Sequence, residues 1–480
     1  MYTQPSATRK LGDFVAGLTF DALPDKVVHE AKREILDIIG CAFGGYLSEI
    51  GRITIDLVRE LGGKPEATVI GSGDKTSCVN AAYANSRMGN ALDFDDVFHG
   101  HFAQSAVAAS LALCERGGSS GKDLITSVVA GFEVAGRFQL ASGPTHVVEG
   151  NKQRHSRSQG TGTGMVIAGA AAAAKALGLD RERAYHTLGI AGANIPIPMI
   201  RKHAENPGIM PLFKYADAGW CCQAGVTAAL LAQKGSTGLP DIFEGDNGAL
   251  VALGIPFEKC DFGVMVAQLG EKWYLPETSY KPWPSCRLTH SPLTAFTRII
   301  EDNALKCEEI EKVLIKGREM ATSTRFRNQE PVGMVSSQFN HPHAIAMVAL
   351  GIKRPMWHSP SVANDPRVRE FRRKVVVELE SEPPKIGAEL FPPPSVEVIA
   401  RGQTFRGRAV RDKGDPGDKE TYFTDGELKE KFRELALPIH PGSQSWEDRT
   451  KEAIEVVFNL EKVEDLGELT RMLSPFLPAN

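Results

Sequence analysis

Residues 165–174 read MVIAGAAAAA, ten consecutive positions without a polar side chain. A helix that is apolar on every side has no face to turn to water and must lie inside a fold. The run is too short to cross a bilayer, which takes about twenty residues. It is therefore expected to be a buried helix, and its small side chains predict close approach by the elements around it. Glycine at 178 suits the left-handed position that ends such a helix.

Around this run the pattern is mainly helical up to about residue 270. A first clear helix enters at Pro24 and Asp25, with Val27, Val28, Ala31, Ile35, Leu36, Ile38 and Ile39 at helical spacing. Further helices are expected over 106–114, 124–140, 164–177 and 225–234. From about residue 271 the texture changes. Prolines fall at 276, 282, 284 and 292, and strand-like stretches appear at 312–315, 374–379 and 396–400. The last pairs with 404–410 across the turn Arg401-Gly402-Gln403, and 344–350 is helical. Asp425 is expected to cap a helix starting near Glu427, and a final helix to cover 446–460. At 480 residues the chain exceeds one ordinary core. The fold class expected is mainly α with a second α+β domain. A large helical domain is placed at 1–270, a smaller α+β lid at 271–414, and C-terminal helices at 415–480 returning to the first.

A net charge of −4 offers no broad basic field for nucleic acid or anionic lipid. The N-terminus lacks the apolar stretch of a secretion signal. None of the eight cysteines forms a Cys-x-x-Cys pair, and no Cys/His cluster has zinc spacing. Reduced thiols and a cytoplasmic location follow as expectations, with a small molecule as partner rather than nucleic acid or membrane.

Five stretches carry candidate chemistry. In 93–101, DFDDVFHGH, three carboxylates and two histidines crowd together. On a helix Asp93 and Asp96 would share one face and Asp95 and His99 another. A carboxylate beside an imidazole suits a general base; a metal site or a solvated acidic helix end are the alternatives. In 154–164, RHSRSQGTGTG, glycines and hydroxyls before a helix suit an anion, or simply allow close helix packing. A dinucleotide fold would need a preceding strand, and helix plus loop is expected there. Lys214, followed by Asp217 and Gly219, stands alone. Residues 281–290, KPWPSCRLTH, place two cations, a thiol and an imidazole on a proline-stiffened loop at the expected domain boundary. Cys286 could be a nucleophile but is more simply a buried thiol. Residues 338–343, QFNHPH, carry two histidines before an apolar helix. No GxSxG, P-loop or HExxH occurs.

Taken together, ALDFDD (91–96), GFEVAGR (131–137), GAAAAAKALGLD (169–180), TGLPDIFEG (237–245), KPWPSCRLTH (281–290) and FTDGELKEKFRELA (423–436) resemble the MmgE/PrpD family. The resemblance runs from about Leu11 nearly to the end of the chain. It implies a helical domain with an α+β lid, usually in a homodimer, and a site between the two. It also implies proton transfer next to a carboxylate without metal or organic cofactor. On this likeness Asp93 matches the site aspartate and His101 the histidine after it. Lys214 matches a lysine followed five residues on by glycine, Lys281 the lysine opening its segment, and Arg287 and His290 that segment's tail. Departures are Gln159, where the family typically has a histidine, Val97 for threonine, Asp217 for histidine, Cys286 for histidine in some members, and His343 for tyrosine. His155 is four residues from the altered position.

The expected chemistry follows. A proton α to a carboxylate is weakly acidic, so its removal needs a placed base and cations for the enolate-like charge. Lys214, Lys281 and Arg287 are expected to clamp carboxylates. His101, supported by Asp93 or Asp96, is the expected base or acid, with His155, His290 or His343 as a second proton handler. Gln159, Cys286 and His290 are expected near the substrate. An unpaired Asp217 would repel a third carboxylate. A lyase (dehydratase or decarboxylase) is favoured, with an epimerase or an inactive carboxylate-binding protein as alternatives.

Overall fold

The computed structural model describes residues 6–143, 146–149, 152–155, 162–196, 203, 210–214, 216–380 and 393–476. The first unit is helical: α1 (Ala7–Gly17), α2 (Asp25–Tyr46), α3 (Glu49–Leu61), α4 (Cys78–Gly89), α5 (Ala103–Gly117), α6 (Gly121–Ala141), α7 (Thr163–Ala176), α8 (Arg181–Ala193) and α9 (Ala218–Gln233). The alanine-rich run is α7, buried from Thr163 through Ala174. It packs against α5, α6 and α9. Two glycines permit the approach. A Cβ on Gly225 of α9 would lie 2.5 Å from the Ala170 nitrogen, and one on Gly131 of α6 would lie 2.7 Å from the Ala168 carbonyl oxygen. Gly178 takes φ +61°, the left-handed value expected there. Among the described residues α6 alone is long and apolar enough to cross a bilayer, and 94% of its apolar window is buried in the fold.

The second unit is α+β. It holds α10 (His290–Asp302), β1 (Ile310–Gly317), α11 (His341–Ala349), α12 (Pro366–Lys374), β2 (Val375–Leu379), β3 (Ser395–Ala400) and β4 (Gln403–Arg408). The sheet order is β2-β1-β3-β4, with β1 and β2 parallel and the other pairs antiparallel. Val313, Ile315, Val396 and Val398 alternate inward against Phe296 of α10 and Ile345 of α11. Arg401 and Gly402 join β3 to β4, both with positive φ, as a tight two-residue hairpin requires.

Finally α13 (Asp425–Ala436) and α14 (Gln444–Phe458) run back onto α2. Phe43 of α2 receives the edges of Phe432 and Trp446 at centroid distances of 5.5 and 5.6 Å. The apolar interior thus forms two clusters, one joining the N-terminal helices, residues 423–473 and Phe326, Met334, Val335 and Phe339 of the second unit, the other around the sheet. All eight cysteines are free thiols.

Some boundaries differ from expectation for local reasons. Helix α9 begins at Ala218 rather than at residue 225, because the Asp217 carboxylate accepts from the Trp220 N–H at 3.0 Å and caps it. Helix α13 is capped by Thr424, not Asp425. Thr424 and Glu427 satisfy each other's backbone N–H groups in a capping box, so the helix starts two residues early. The stretch ahead of residue 156 is a backbone hairpin, His146–Glu149 with Lys152–His155, instead of helix and loop. It is antiparallel and so no βαβ unit.

Gly225→Val should force α7 and α9 apart. The expected loss is about 1–3 kcal/mol, read as a lower Tm by calorimetry with helical circular dichroism retained. An unchanged Tm would show that the contact is not tight.

Candidate active site

Helix α4 ends at Asn90, and residues 90–102 reach α5 as a loop, not as the helix the charge spacing suggests. Asp93 and His99 hold positive φ, +54° and +49°, a conformation Asp tolerates better than most residues. Helical i, i+3 logic therefore does not apply, and neighbouring carboxylates point to different places.

Asp93 faces two lysines from distant segments. Lys214 Nζ donates to the Asn90 carbonyl at 2.5 Å and lies 3.3 Å from Asp93 Oδ1. Lys281 Nζ donates to the Asp93 carbonyl at 2.8 Å and lies 3.5 Å from Asp93 Oδ2. All three side chains are buried, and Lys214 itself has φ +58°, strain of the kind that persists at functional sites. Burial alone would raise the Asp93 pKa, but Lys214, Lys281 and His101 outweigh it and hold the carboxyl well below its usual range. Burial lowers the Lys214 pKa, against Asp93 and Asp95.

His101 is buried beside them. Its Nδ1 lies 2.9 Å from the Asp96 carbonyl oxygen and 3.4 Å from Asp95 Oδ2. Both are acceptors, so Nδ1 carries the hydrogen and Nε2 is the basic nitrogen. Asn90 Nδ2 grips both Asp95 oxygens, at 3.0 and 2.9 Å. The carboxylate behind His101 is thus Asp95, and the expectation of Asp93 or Asp96 in that role is corrected. Burial would raise Asp95, but His101 and the two lysines bring its pKa below the ordinary value.

Asp96 turns the other way, toward Glu34 and Asp37 of α2 and Lys431 of α13. Lys431 Nζ lies 2.7 Å from Asp37 Oδ1 and donates to the Phe94 carbonyl at 2.7 Å. The Asp96 and Glu34 oxygens have no hydrogen-bond partner among the described residues. Burial, then the negative charge of Asp95 and Asp37, pushes Asp96 well above the carboxylate range; burial and Asp96 do the same to Glu34.

The lid closes the other side. The Cys286 N–H donates to the Gln338 carbonyl at 2.8 Å, and Gln338 Nε2 donates to the Ala91 carbonyl at 2.8 Å. Burial, followed by Asp93, moves the Cys286 pKa up to about 11 despite Arg325 and Lys281, so the thiol stays protonated and is a poor nucleophile. Two residues that sequence reasoning missed also face this space. Arg325 is felt electrostatically by Asp93 and Cys286. His203 packs against Phe339 at 5.5 Å, and burial, with Arg325 and Lys214, takes its pKa down to about 3. Neither sits in a spacing that marks it.

Other expected site residues are occupied elsewhere. His290 is fully buried with Nε2 3.1 Å from the Ser285 carbonyl, where it holds the proline-rich loop. His343 is fully buried, 2.7 Å from the Trp357 carbonyl and stacked on His358. Burial and His358 lower its pKa to about 3. His343 is coupled to His358 rather than to the lysines, whereas His290 holds its loop while lying in the field of Lys281 and Asp93. Arg287 Nε is engaged by Asp412 at 3.3 Å. Asp217 caps α9 and lies 3.4 Å from Arg87, so its charge is paired and the expected repulsion falls away. The His155 side chain and Gln159 lie outside the described residues. Among the described residues no His, Cys, Asp and Glu side chains gather as a metal site.

Comparison with known proteins bears on this arrangement. Residues 9–259 match the MmgE/PrpD N-terminal domain and residues 283–458 the MmgE/PrpD C-terminal domain. The cis-aconitate decarboxylase of Homo sapiens is 26% identical over 488 residues, covering 98% of this chain and 94% of that protein. That of Mus musculus is 26% identical over 484 residues, covering 98% and 93%. The cis-aconitate decarboxylase of Aspergillus terreus (strain NIH 2624 / FGSC A1156) is 24% identical over 508 residues, covering 97% and 96%.

A raised folded-state pKa at Asp96 means stability lost as pH climbs from the unfolded carboxylate value through the folded one. Asp96→Asn removes that loss. Its Tm should exceed that of the parent at pH 8, by on the order of 1–2 kcal/mol of stability or more, with the gap closing only as pH falls to about 4, the unfolded carboxylate value. A gap that instead widens at low pH would contradict the raised pKa.

Proposed function

The chain belongs to the MmgE/PrpD family, and on that premise we propose that it is a lyase acting at the carbon next to a carboxylate of a small organic acid. The observation that carries this reading is the convergence of Lys214 and Lys281 on Asp93, with His101 alongside. Breaking a bond at such a carbon leaves an electron pair that spreads onto carboxylate oxygens. Ammonium groups fixed beforehand stabilise that charge without reorganising at the moment of reaction. Asp93 pairs with both lysines and holds them in place.

Among lyase reactions, loss of CO₂ is favoured, in line with the relatives named cis-aconitate decarboxylase. The C–C bond breaks, its electron pair stays on carbon and passes into a conjugated carboxylate held by the lysines, and CO₂ departs. His101 in its imidazolium form then delivers the Nε2 proton to carbon and is recharged from solvent. That sequence needs one proton handler, which His101 supplies, whereas epimerisation needs one on each face of the carbon. Asp95 stabilises the imidazolium and fixes its tautomer. The reading calls on no organic cofactor or metal. The family likeness also supports a homodimer, and the free thiols suit the reducing cytoplasm.

Turnover of small unsaturated, hydroxy and imino polycarboxylates, cis-aconitate among them, should be followed by proton NMR in D₂O. Release of CO₂ with one deuteron at the reacting carbon is expected. Deuterium exchange without net conversion would mark an epimerase. Lys281→Ala should lower kcat about 100-fold or more with the fold retained, and unchanged turnover in that variant would overturn the site.

A further inference from the structure

The three buried arginines among the described residues are engaged within the protein, and half-buried Arg325 is the contrast to them. Arg33 is paired with Glu30 and Asp425. Arg137 lies 3.8 Å from Glu133 and donates to the Ala267 and Lys272 carbonyls. Arg372 lies 3.8 Å from Glu330 and donates to the Ala363 carbonyl at 3.0 Å. Lys214 and Lys281 share Asp93. Arg325 differs. It sits on the short helix Thr324–Arg327 of the lid, its guanidinium over the rings of Phe326 and Phe339 at 4.9 and 5.3 Å. Among the described residues its side chain has no ion pair or hydrogen bond, and its Nε is buried without a partner. It nevertheless interacts electrostatically with Asp93, Cys286 and His203.

A half-buried guanidinium whose Nε is shut from water and meets no anion is costly, and a compensating partner favours it. The aromatic rings orient its plane and leave its outer nitrogens for a fork-shaped contact. The groups beside it do not satisfy it. Cys286 keeps its proton, and His203 is neutral. A carboxylate held bidentately is the ligand that fits.

We propose that Arg325 is a specificity-determining residue that binds a carboxylate of the substrate remote from the reacting carbon. The substrate is then a polycarboxylate, one end on the lysine pair and a non-reacting end on the lid arginine. This rests on the acid-handling function proposed above for the same site.

The test uses the full-length protein and two readouts. Binding of tricarballylate, a saturated tricarboxylate with no reaction to undergo, and of its mono-amides is measured by calorimetry. KM and kcat are measured on whichever polycarboxylate the enzyme converts. Arg325→Gln should weaken tricarballylate binding and raise KM at least tenfold, with kcat changed only a few-fold. It should also erase the preference for tricarballylate over its mono-amides. Arg325→Lys keeps the charge, loses the fork, and should fall between, which serves if the Gln variant does not fold. Turnover by the parent protein with KM and the preference unchanged in both variants would overturn this inference and leave the lyase reading intact. Arginine-dependent binding without turnover of any acid would sink the lyase reading and uphold this one. Failure of the parent protein to bind any of these acids would overturn it.

Discussion

Two ammonium groups and one carboxylate, all buried, set the terms for the centre of this molecule. Lys214, Lys281 and Asp93 come from three segments that meet nowhere else in sequence. Removing such charges from water costs several kcal/mol each, which only close pairing and full hydrogen bonding offset. The loop after α4 supplies both. Its bend at Asp93 aims the carboxylate at the lysines, and the carbonyls of Asn90 and Asp93 accept from them. Breaking the arrangement by removing one member would leave an uncompensated charge indoors. The positive φ at Asp93 and Lys214 is thus held by the interaction it serves.

Behind this centre, adjacent residues take opposite roles. Asp95, clamped by Asn90 and facing His101, is ionised; Asp96, facing Glu34 and Asp37, is driven to hold its proton. One peptide bond separates a carboxylate that can stabilise imidazolium from one that serves as buried polar filling. Lys431 links the second group to the C-terminal helix by bridging Asp37 and the Phe94 carbonyl. Helices that return from the far end of the chain therefore brace the back of the catalytic loop. Their docking on α2 through Phe432 and Trp446 is part of how the site is held.

Much of the scaffold is legible in the sequence because it depends on periodicity. The all-apolar run had to be a central helix, and the alternating valines of β1 and β3 had to face a core. Helix starts slipped where a side chain caps earlier than hydrophobic spacing suggests, as with Asp217 and Thr424. In the site, Asp93, His101, Lys214 and Lys281 could be picked out by motif, but their orientation could not. The acidic stretch has helical charge spacing, yet Asn90 closes α4 and the chain bends at once. His290 and His343 looked like proton handlers because imidazoles titrate near neutrality. Burial and a carbonyl partner give each a structural duty, and burial with Arg287 and Lys281 holds His290, which stands at the edge of the site, well below the imidazole range. Arg325 carried no signal, since an isolated arginine is ordinarily solvated and only tertiary packing isolates it from an anion.

The lid contributes more than enclosure. Cys286 and Gln338 tie it through backbone and amide bonds to Ala91, two residues before Asp93. Its own guanidinium stands over the site within reach of the Asp93 field. Among the described residues the facing charges are three cations, Lys214, Lys281 and Arg325, and two carboxylates, Asp93 and Asp95, with an imidazole beside them. Among these residues negative charge is in short supply, and the shortage lies toward the lid, where no carboxylate of the described residues meets Arg325. An anion entering there makes good the deficit and touches both units at once. Recognition of the acid and closure over it then draw on the same interaction, and the low-dielectric surroundings that make each buried cation costly are what make its contact with a substrate carboxylate strong.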